Sequence, residues 1–259
     1  MENVLRMQKN NLNPVTKCEG NMELLGIGNN SKTIKSDKGG EYLTGIMYIE
    51  PRNTRICPYQ DIAKCKEGCL NTSGRAGIIR KGETTNNILE ARKRKTNLFL
   101  EDRAEFMRLI VKDVEALIRK ADRLGVKPCV RLNGTSDIQW ETIELDNGKN
   151  IFEEFSQIQF YDYTKIPTRK VSKFKNYHLT WSYSEANPKY ANYFKTALDK
   201  GMNVAVVFKN ELPVSYKNTR VIDGDKDDLR FLDDKGVIVG LKAKGKAKKD
   251  TNGFVIAIN

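Results

Sequence analysis

No uninterrupted apolar stretch of about 18 residues occurs anywhere in the sequence, which excludes a membrane-spanning helix. The opening residues, MENVLRMQKNNLNPVTK, lack the apolar core of a secretory signal, so the cytoplasm is the expected compartment. Histidine occurs once, as His178. Cysteine is scarce and odd in number, five in 259 residues, in a chain long enough to bury a sizeable core without covalent staples. A disulfide framework is therefore not expected, and clustered thiols in a reducing compartment point to metal binding or redox chemistry. There is no internal repeat. Only 39% of the residues are hydrophobic against 30% charged, a soluble composition.

The charge that is present is lopsided. Lysine and arginine outnumber aspartate and glutamate by 45 to 33, a net charge of +12. Such a surface attracts polyanions, so a nucleotide, a nucleic acid or another phosphorylated ligand is the expected partner.

Residues 1–40 form a polar N-terminal segment, in which GNNSKTIKSDKGG reads as a loop. YLTGIMYIEP predicts a strand stopped by Pro51. Two helices follow, TTNNILEARKRKTNLFL and EDRAEFMRLIVKDVEALIRKADRLG. The second carries Phe106, Leu109, Ile110, Leu117 and Ile118 on helical spacing and ends at Gly125. From there strands and helices alternate: KPCVRLNG, IQFYDYT, NYHLTWSYS and MNVAVVF as strands, with NPKYANYFKTALDKG as a helix that Pro188 opens and Gly201 closes. SDIQWETI and NIFEEFS read as short helices. This alternation implies parallel pairing with right-handed crossovers, with about five strands before residue 210. The predicted fold is α/β: a partial, open parallel β/α barrel over residues 41–210, with a small mixed, β-rich C-terminal extension, 211–259, packed on it. Within the extension, LKAKGKAKKD reads as a mobile or phosphate-facing loop. VIDGDKDDLRFLD, with five aspartates in thirteen residues, lacks the closing glutamate of a calcium loop. It reads as hairpin turns, with Asp223 and Asp225 as minor site candidates.

Three of the five cysteines, Cys57, Cys65 and Cys69, fall within thirteen residues. Cys129 lies in an apolar run and reads as a small buried residue. Structural zinc wants four cysteine or histidine ligands. Here the fourth would be distant: His178, Cys18 or Cys129. Cubane iron–sulfur clusters also usually take four thiolates. A cluster held by three leaves one iron open, and the best-known use of that position is binding S-adenosylmethionine for reductive cleavage. The loop follows the first strand, and ligands of parallel sheets gather where strands end. Its NTSGRAG stretch frees backbone amides for an anion. Other strand ends are polar as well. Asn133, Ser136 and Asp137 follow one strand, Asp162 and Lys165 close the next, and Thr180 and Ser182 lie on a third. Together they suggest a polar-rimmed pocket, with Asn133, Ser136, Thr180 and Ser182 lining a cofactor. Asp137 and Asp162 would be an acid/base pair. Arg131 is a buried-arginine candidate that needs a carboxylate or phosphate partner. His178, alone in an apolar strand, reads as a hydrogen-bonded core residue with a ligand role as the rival.

The ordered set CPYQDIAKCKEGCLNTSGRAG, RLNGTSDIQWE, FYDYTK, NYHLTWSYSE, GMNVAVVF and VIDGDKDDLRFLD resembles the phage gene-product-88 family over roughly residues 20–257. That resemblance implies a phage or prophage origin more firmly than a reaction. The cysteine loop is also similar to that of phage proteins related to radical-SAM enzymes, which carry three cysteines early in a partial barrel. Carried over, the likeness makes Cys57, Cys65 and Cys69 the ligands of a [4Fe-4S] cluster whose open iron takes S-adenosylmethionine. The usual spacing there has three and then two intervening residues; here it is seven and three. The expected function is a radical-SAM-like enzyme that modifies a nucleotide or nucleic acid. One alternative is a barrel glycosyltransferase that exchanges nucleobases, with Asp137 and Asp162 as nucleophile and acid/base and the thiols on structural zinc. The other is a basic, zinc-stabilised nucleic-acid-binding protein without catalysis.

Overall fold

Five parallel strands run in chain order across the middle of one sheet. They are β2 (Tyr42–Met47), β3 (Lys127–Arg131), β4 (Gln159–Thr164), β5 (Tyr177–Ser182) and β6 (Val204–Phe208). The structure is a computed structural model that describes residues 22–28, 31–37 and 40–258. β1 (Leu25–Ile27) pairs antiparallel with β2. Residues 211–258 add β7 (Ser215–Tyr216), β8 (Thr219–Asp223), β9 (Ile238–Lys242) and β10 (Val255–Ile256) to the same sheet. β9 pairs parallel with β6, β8 parallel with β9, and β7 antiparallel with β8. The result is a mixed α/β fold around a ten-stranded, mostly parallel sheet whose ends do not join.

The strand order has a physical consequence. Parallel neighbours in chain order need crossovers that all pass on one face. That face is apolar. Leu43, Met47, Val130, Phe160 and Leu179 share one core with Phe106, Ile110, Val114 and Leu117 of α3 (Arg103–Leu124). Trp181, Val204, Val206 and Phe208 pack with Tyr190 of α5 (Pro188–Ala191) and Phe194 of α6 (Tyr193–Asp199). Gly45 lets α3 sit directly on the sheet, since a Cβ there would meet Leu117 at 3.0 Å.

The helices follow local signals. Asn86 caps α2 (Asn87–Glu101) by accepting from Ile88 and Leu89, and Asp102 caps α3 by accepting from Glu105. Gly125, at φ 66°, ends α3 in the left-handed region that favours glycine. Asn150 and Glu153 form a reciprocal capping box on α4 (Ile151–Glu154).

Four expectations need correction. The 28–40 stretch, read as a loop, contains a short helix, α1 (Ser31–Asp37), fixed by tertiary contact: Thr33 is buried and Asp37 accepts from Thr44 Oγ1 at 3.0 Å. The 187–201 helix is two, because the chain breaks at Asn192 between α5 and α6. The aspartate-rich 221–233 stretch starts inside the β7–β8 hairpin, with Val221 N donating to Val214 O at 3.0 Å, but its aspartates lead into a crossover and not into hairpin turns. β8 and β9 run parallel, and the crossover between them lies over the face of the sheet opposite the helices. The LKAKGKAKKD stretch is ordered too, as the end of β9 and a 3-10 turn over Gly245–Lys249.

β5 and β6 pair only through Trp181–Val204 and Ser182–Ala205. Beyond that they part, and β10 takes the freed edge of β6 at Val207 and Phe208. The chain after β3 turns just as tightly against β2: Gly134 donates its amide to Met47 O at 3.0 Å. A Cβ at Gly134 would collide with that carbonyl and with the Tyr48 ring. Gly134→Ala is therefore expected to cost about 1–3 kcal/mol, the range for overpacking, read as a lower midpoint in urea unfolding with an unchanged slope.

Candidate functional site

The cysteine loop sits where β2 to β5 end. Its backbone is held by the turn after β3: Asp137 N donates to Ile56 O at 2.9 Å, and Thr135 Oγ1 donates to Ile49 O at 2.6 Å. The Cys57 thiol points at Thr135 O, 3.9 Å away. Farther along, Ser184 after β5 donates to Ala63 O at 2.8 Å, and Gly68 packs on Phe254 and Ala247. Cys65 donates to Gln60 O, and Cys69 accepts from Asn71 N at 3.4 Å as it opens the first of two 3-10 turns.

All three thiols are half-buried and lie within electrostatic range of one another. Burial is the main cause that raises each of their pKa values. Asp137 and the other two sulfurs push Cys57 further in the same direction. Lys165 and Arg92 act against this. Lys165, half-buried and lowered in pKa by desolvation, favours the thiolates of Cys65 and Cys69, and Arg92 favours that of Cys69. The Lys165 ammonium donates to Ser182 O and Tyr183 O at 3.1 and 3.2 Å and lies 4.6 Å from the Phe254 ring centroid. Arg92 stacks on Tyr48 and donates to the Asn71 side chain at 3.1 Å.

The donor set suits a thiolate-held group in kind: three thiols on one loop with two cations beside them. Among the described residues, however, no three His, Cys, Asp or Glu side chains are gathered tightly enough to hold a metal as they stand. Neither distant ligand considered for zinc comes to the loop. Cys129 is buried against Thr44 Oγ1 at 3.3 Å, and His178 projects from the sheet face opposite the helices. Cys18 lies outside the described residues.

The polar strand-end residues divide into two groups. Asp162, buried on the helix side, accepts from Asn133 N at 2.7 Å, Asn133 Nδ2 at 3.3 Å and Tyr177 Oη at 3.0 Å. Asp137 accepts from Thr164 Oγ1 at 2.8 Å and Lys165 N at 2.7 Å, with Arg169 Nη1 3.7 Å away. Asn133 Oδ1 takes Ser136, Ile138 and Trp140 as donors. Asp137, Asp162, Asn133 and Ser136 thus form a buried network whose bonds run to the loops themselves. Ser182 contributes its carbonyl to Lys165 and to Tyr190. Thr180 is on the other face, since it pairs with Tyr163 while Asp162 pairs with Leu179. Asp223 accepts from Asp225 N, and Asp225 accepts from Lys242 N and Lys244 Nζ, which spends both minor candidates on a turn.

Sequence reasoning missed Arg92, Arg169 and Tyr177. Arg169 is fully enclosed and forms a bidentate pair with Glu141 while donating to Tyr177 at 2.9 Å. Nothing in the local sequence marks these residues. Arg131 does find the carboxylate it needed: Asp228, at 3.2 Å.

A model of the family described as gene product 88 matches residues 22–258. No curated protein and no solved structure matches the chain. No helix among the described residues is long and apolar enough to cross a membrane.

The network has a pH signature. Burial raises the Asp162 pKa to about 7 despite the three donors, whereas the unfolded carboxyl ionises near 3.8. Between these values the folded protein holds the extra proton, so the Asp162 contribution is complete below about pH 4 and lost as pH rises through about 7. Asp162→Asn is expected to flatten that slope in urea unfolding from pH 4 to 8. Asp162→Ala strands the Asn133 and Tyr177 donors, at about 1–3 kcal/mol for each.

Proposed function

The chain belongs to the gene product 88 family, and on that footing we propose that it is a phage-type enzyme of the host cytoplasm. In this reading it is a radical-SAM-like protein acting on a nucleotide or nucleic acid. Cys57, Cys65 and Cys69 would hold a [4Fe-4S] cluster at the carboxyl edge of a partial, open parallel barrel. The observation that carries this reading is that one loop at the ends of chain-ordered parallel strands brings three thiols within electrostatic range of one another, although not yet close enough to hold a metal as they stand. When bound, the cluster supplies one-electron reduction of S-adenosylmethionine at its open iron.

The chain's own residues have separable tasks. The thiols would hold the group as thiolates, and Lys165 and Arg92 would lower the cost of that negative charge. Lys165 is also placed to meet a carboxylate brought to the loop. Asp137 and Asp162 position the strand ends, and their enclosure weighs against a nucleophile in a base-exchanging glycosyltransferase.

The anionic-substrate half of the reading rests on the basic rim. The turn Gly245–Lys249 packs on the cysteine loop, with Gly68 against Ala247 and Gly245 against Ser73. It leaves Lys246, Lys248 and Lys249 exposed, and Arg75, two residues after Ser73, and Arg80 and Lys81 farther along the chain are exposed as well. A phosphodiester backbone on that rim would run past the thiols.

Anaerobic purification with metal and sulfide analysis tests the cofactor. About four irons and four sulfides per chain are expected, with a visible charge-transfer band lost in Cys57→Ala, Cys65→Ala and Cys69→Ala. Stoichiometric zinc without sulfide would replace this reading with the non-catalytic binding protein. The rim is tested separately. Exchanging Lys246, Lys248 and Lys249 for glutamine should weaken single-stranded nucleic-acid binding and reduce its log–log salt slope by about 2.

A further inference from the structure

The face of the sheet opposite the helices is polar. Alternation places Thr44 of β2, Cys129 and Arg131 of β3, Tyr161 and Tyr163 of β4, and His178 and Thr180 of β5 on it. α1 meets Thr44 through Asp37, and the β8–β9 crossover covers Cys129, Arg131 and Tyr161. Its Asp228 carboxylate accepts from Arg131 Nη1 through both oxygens at 3.2 Å and from Tyr161 Oη at 3.0 Å. Its Arg230, 1% exposed, donates to Asp227 at 2.7 Å and stands 3.3 Å from Asp233. Phe231 packs on Tyr42 and Tyr161.

Under this cover the hydrogen-bond accounting fails. Ten buried side-chain atoms of the described residues have no hydrogen-bond partner, and seven belong to this one face and its cover. Two of the seven, Arg230 Nη1 and Asp233 Oδ2, still pair as charges. The other five are Arg131 Nε, Tyr163 Oη, His178 Nε2, Thr180 Oγ1 and Arg230 Nε. Native folds satisfy nearly all such atoms, so five on adjoining side chains require a common reason. All five can donate a hydrogen bond, although the two hydroxyls and the imidazole nitrogen can also accept one. Thr180 is fully enclosed beside Tyr163, and the Arg131 guanidinium lies 4.8 Å from the Tyr163 ring centroid.

We propose that this inner face is a phosphate-binding site, in which Arg131, Arg230, Tyr163, Thr180 and His178 hold a phosphate or phosphate monoester and the Asp228 carboxylate occupies part of it as a built-in competitor. Asp228 already shows that an oxyanion suits Arg131 and Tyr161. Five further donors exceed what the two oxygens of a second carboxylate accept comfortably, whereas the terminal oxygens of a phosphate can serve them together. Access requires the crossover to lift. The site involves no thiol, so it stands or falls independently of the cluster.

The test is thermal unfolding of the full chain in inorganic phosphate, acetate or chloride at matched ionic strength. Phosphate is expected to raise the midpoint saturably above both of the others. The Tyr163→Phe, Thr180→Val double variant removes two unsatisfied hydroxyls without opening the core. It should fold and lose about tenfold in phosphate affinity by calorimetry. Asp228→Asn, where it folds, should gain about tenfold. Equal shifts from all three anions would overturn the proposal. So would a phosphate effect unchanged in the double variant, or one that disappears only when Lys246, Lys248 and Lys249 are exchanged.

Discussion

Two buried aspartates clamp the neighbouring strands to each other, and the loops that make this protein distinctive hang from that clamp. Asp162 belongs to β4 and holds the turn after β3 through Asn133. Asp137 belongs to the turn after β3 and holds the end of β4 through Thr164 and Lys165. Arg169 and Tyr177 stand between them, with Tyr177 donating to Asp162 and Arg169 donating to Tyr177. Each carboxylate thus fixes the segment that carries the other. The cysteine loop depends on the same turn, since Asp137 N and Thr135 Oγ1 hold its carbonyls at Ile56 and Ile49. Buried charge is costly unless satisfied, and a satisfied network specifies one geometry more sharply than apolar packing does.

The sheet divides its labour by face. On the helix side, Phe99, Phe106 and Trp140 meet in a tight aromatic group, and the clamp is the one strongly polar feature of that side near the strand ends. The other face carries tyrosine, arginine, histidine and threonine under a crossover rich in aspartate. A purely structural layer would favour apolar side chains there, because each enclosed polar atom must find a partner. Asp228 answers the charge of Arg131, and Asp227 and Asp233 that of Arg230, but these pairs leave the Nε atoms of both arginines unpartnered, which is where the proposed phosphate would act.

Much of the architecture could be read from the sequence because its signals are local. Asn86, Asp102 and Gly125 mark the ends of α2 and α3, and the five strands from β2 to β6 fall where their apolar runs lie. The position of the three cysteines after the first of these strands was legible for the same reason. What failed was non-local. α1 is held by Thr44 rather than by propensity, and its Asn, Ser, Lys and Gly neighbours read as loop. The aspartates of 223–233 were legible as turn formers but not as a cover over Arg131, almost a hundred residues away in sequence. Thr180 was grouped with Asn133 and Ser136 by its nearness to a strand end. Strand parity puts it on the opposite face, and parity can be assigned only once the register with Tyr163 is known.

In the proposed reading, the three thiols would couple the course of their loop to a cofactor. Without a cation, burial and mutual repulsion keep them protonated, and neutral thiols have no reason to converge closely. The loop therefore takes its course from its anchors at Ile49, Ile56 and Ala63, which lie outside the ligand set. A metal centre would supply the missing attraction, contracting the sulfurs while the anchors hold. Lys165 is held by the carbonyls at the end of β5, whereas Arg92 of α2 donates to Asn71 of the cysteine loop itself, next to Cys69. In that reading the scaffold would stay as it is and the sulfur positions would respond to what binds.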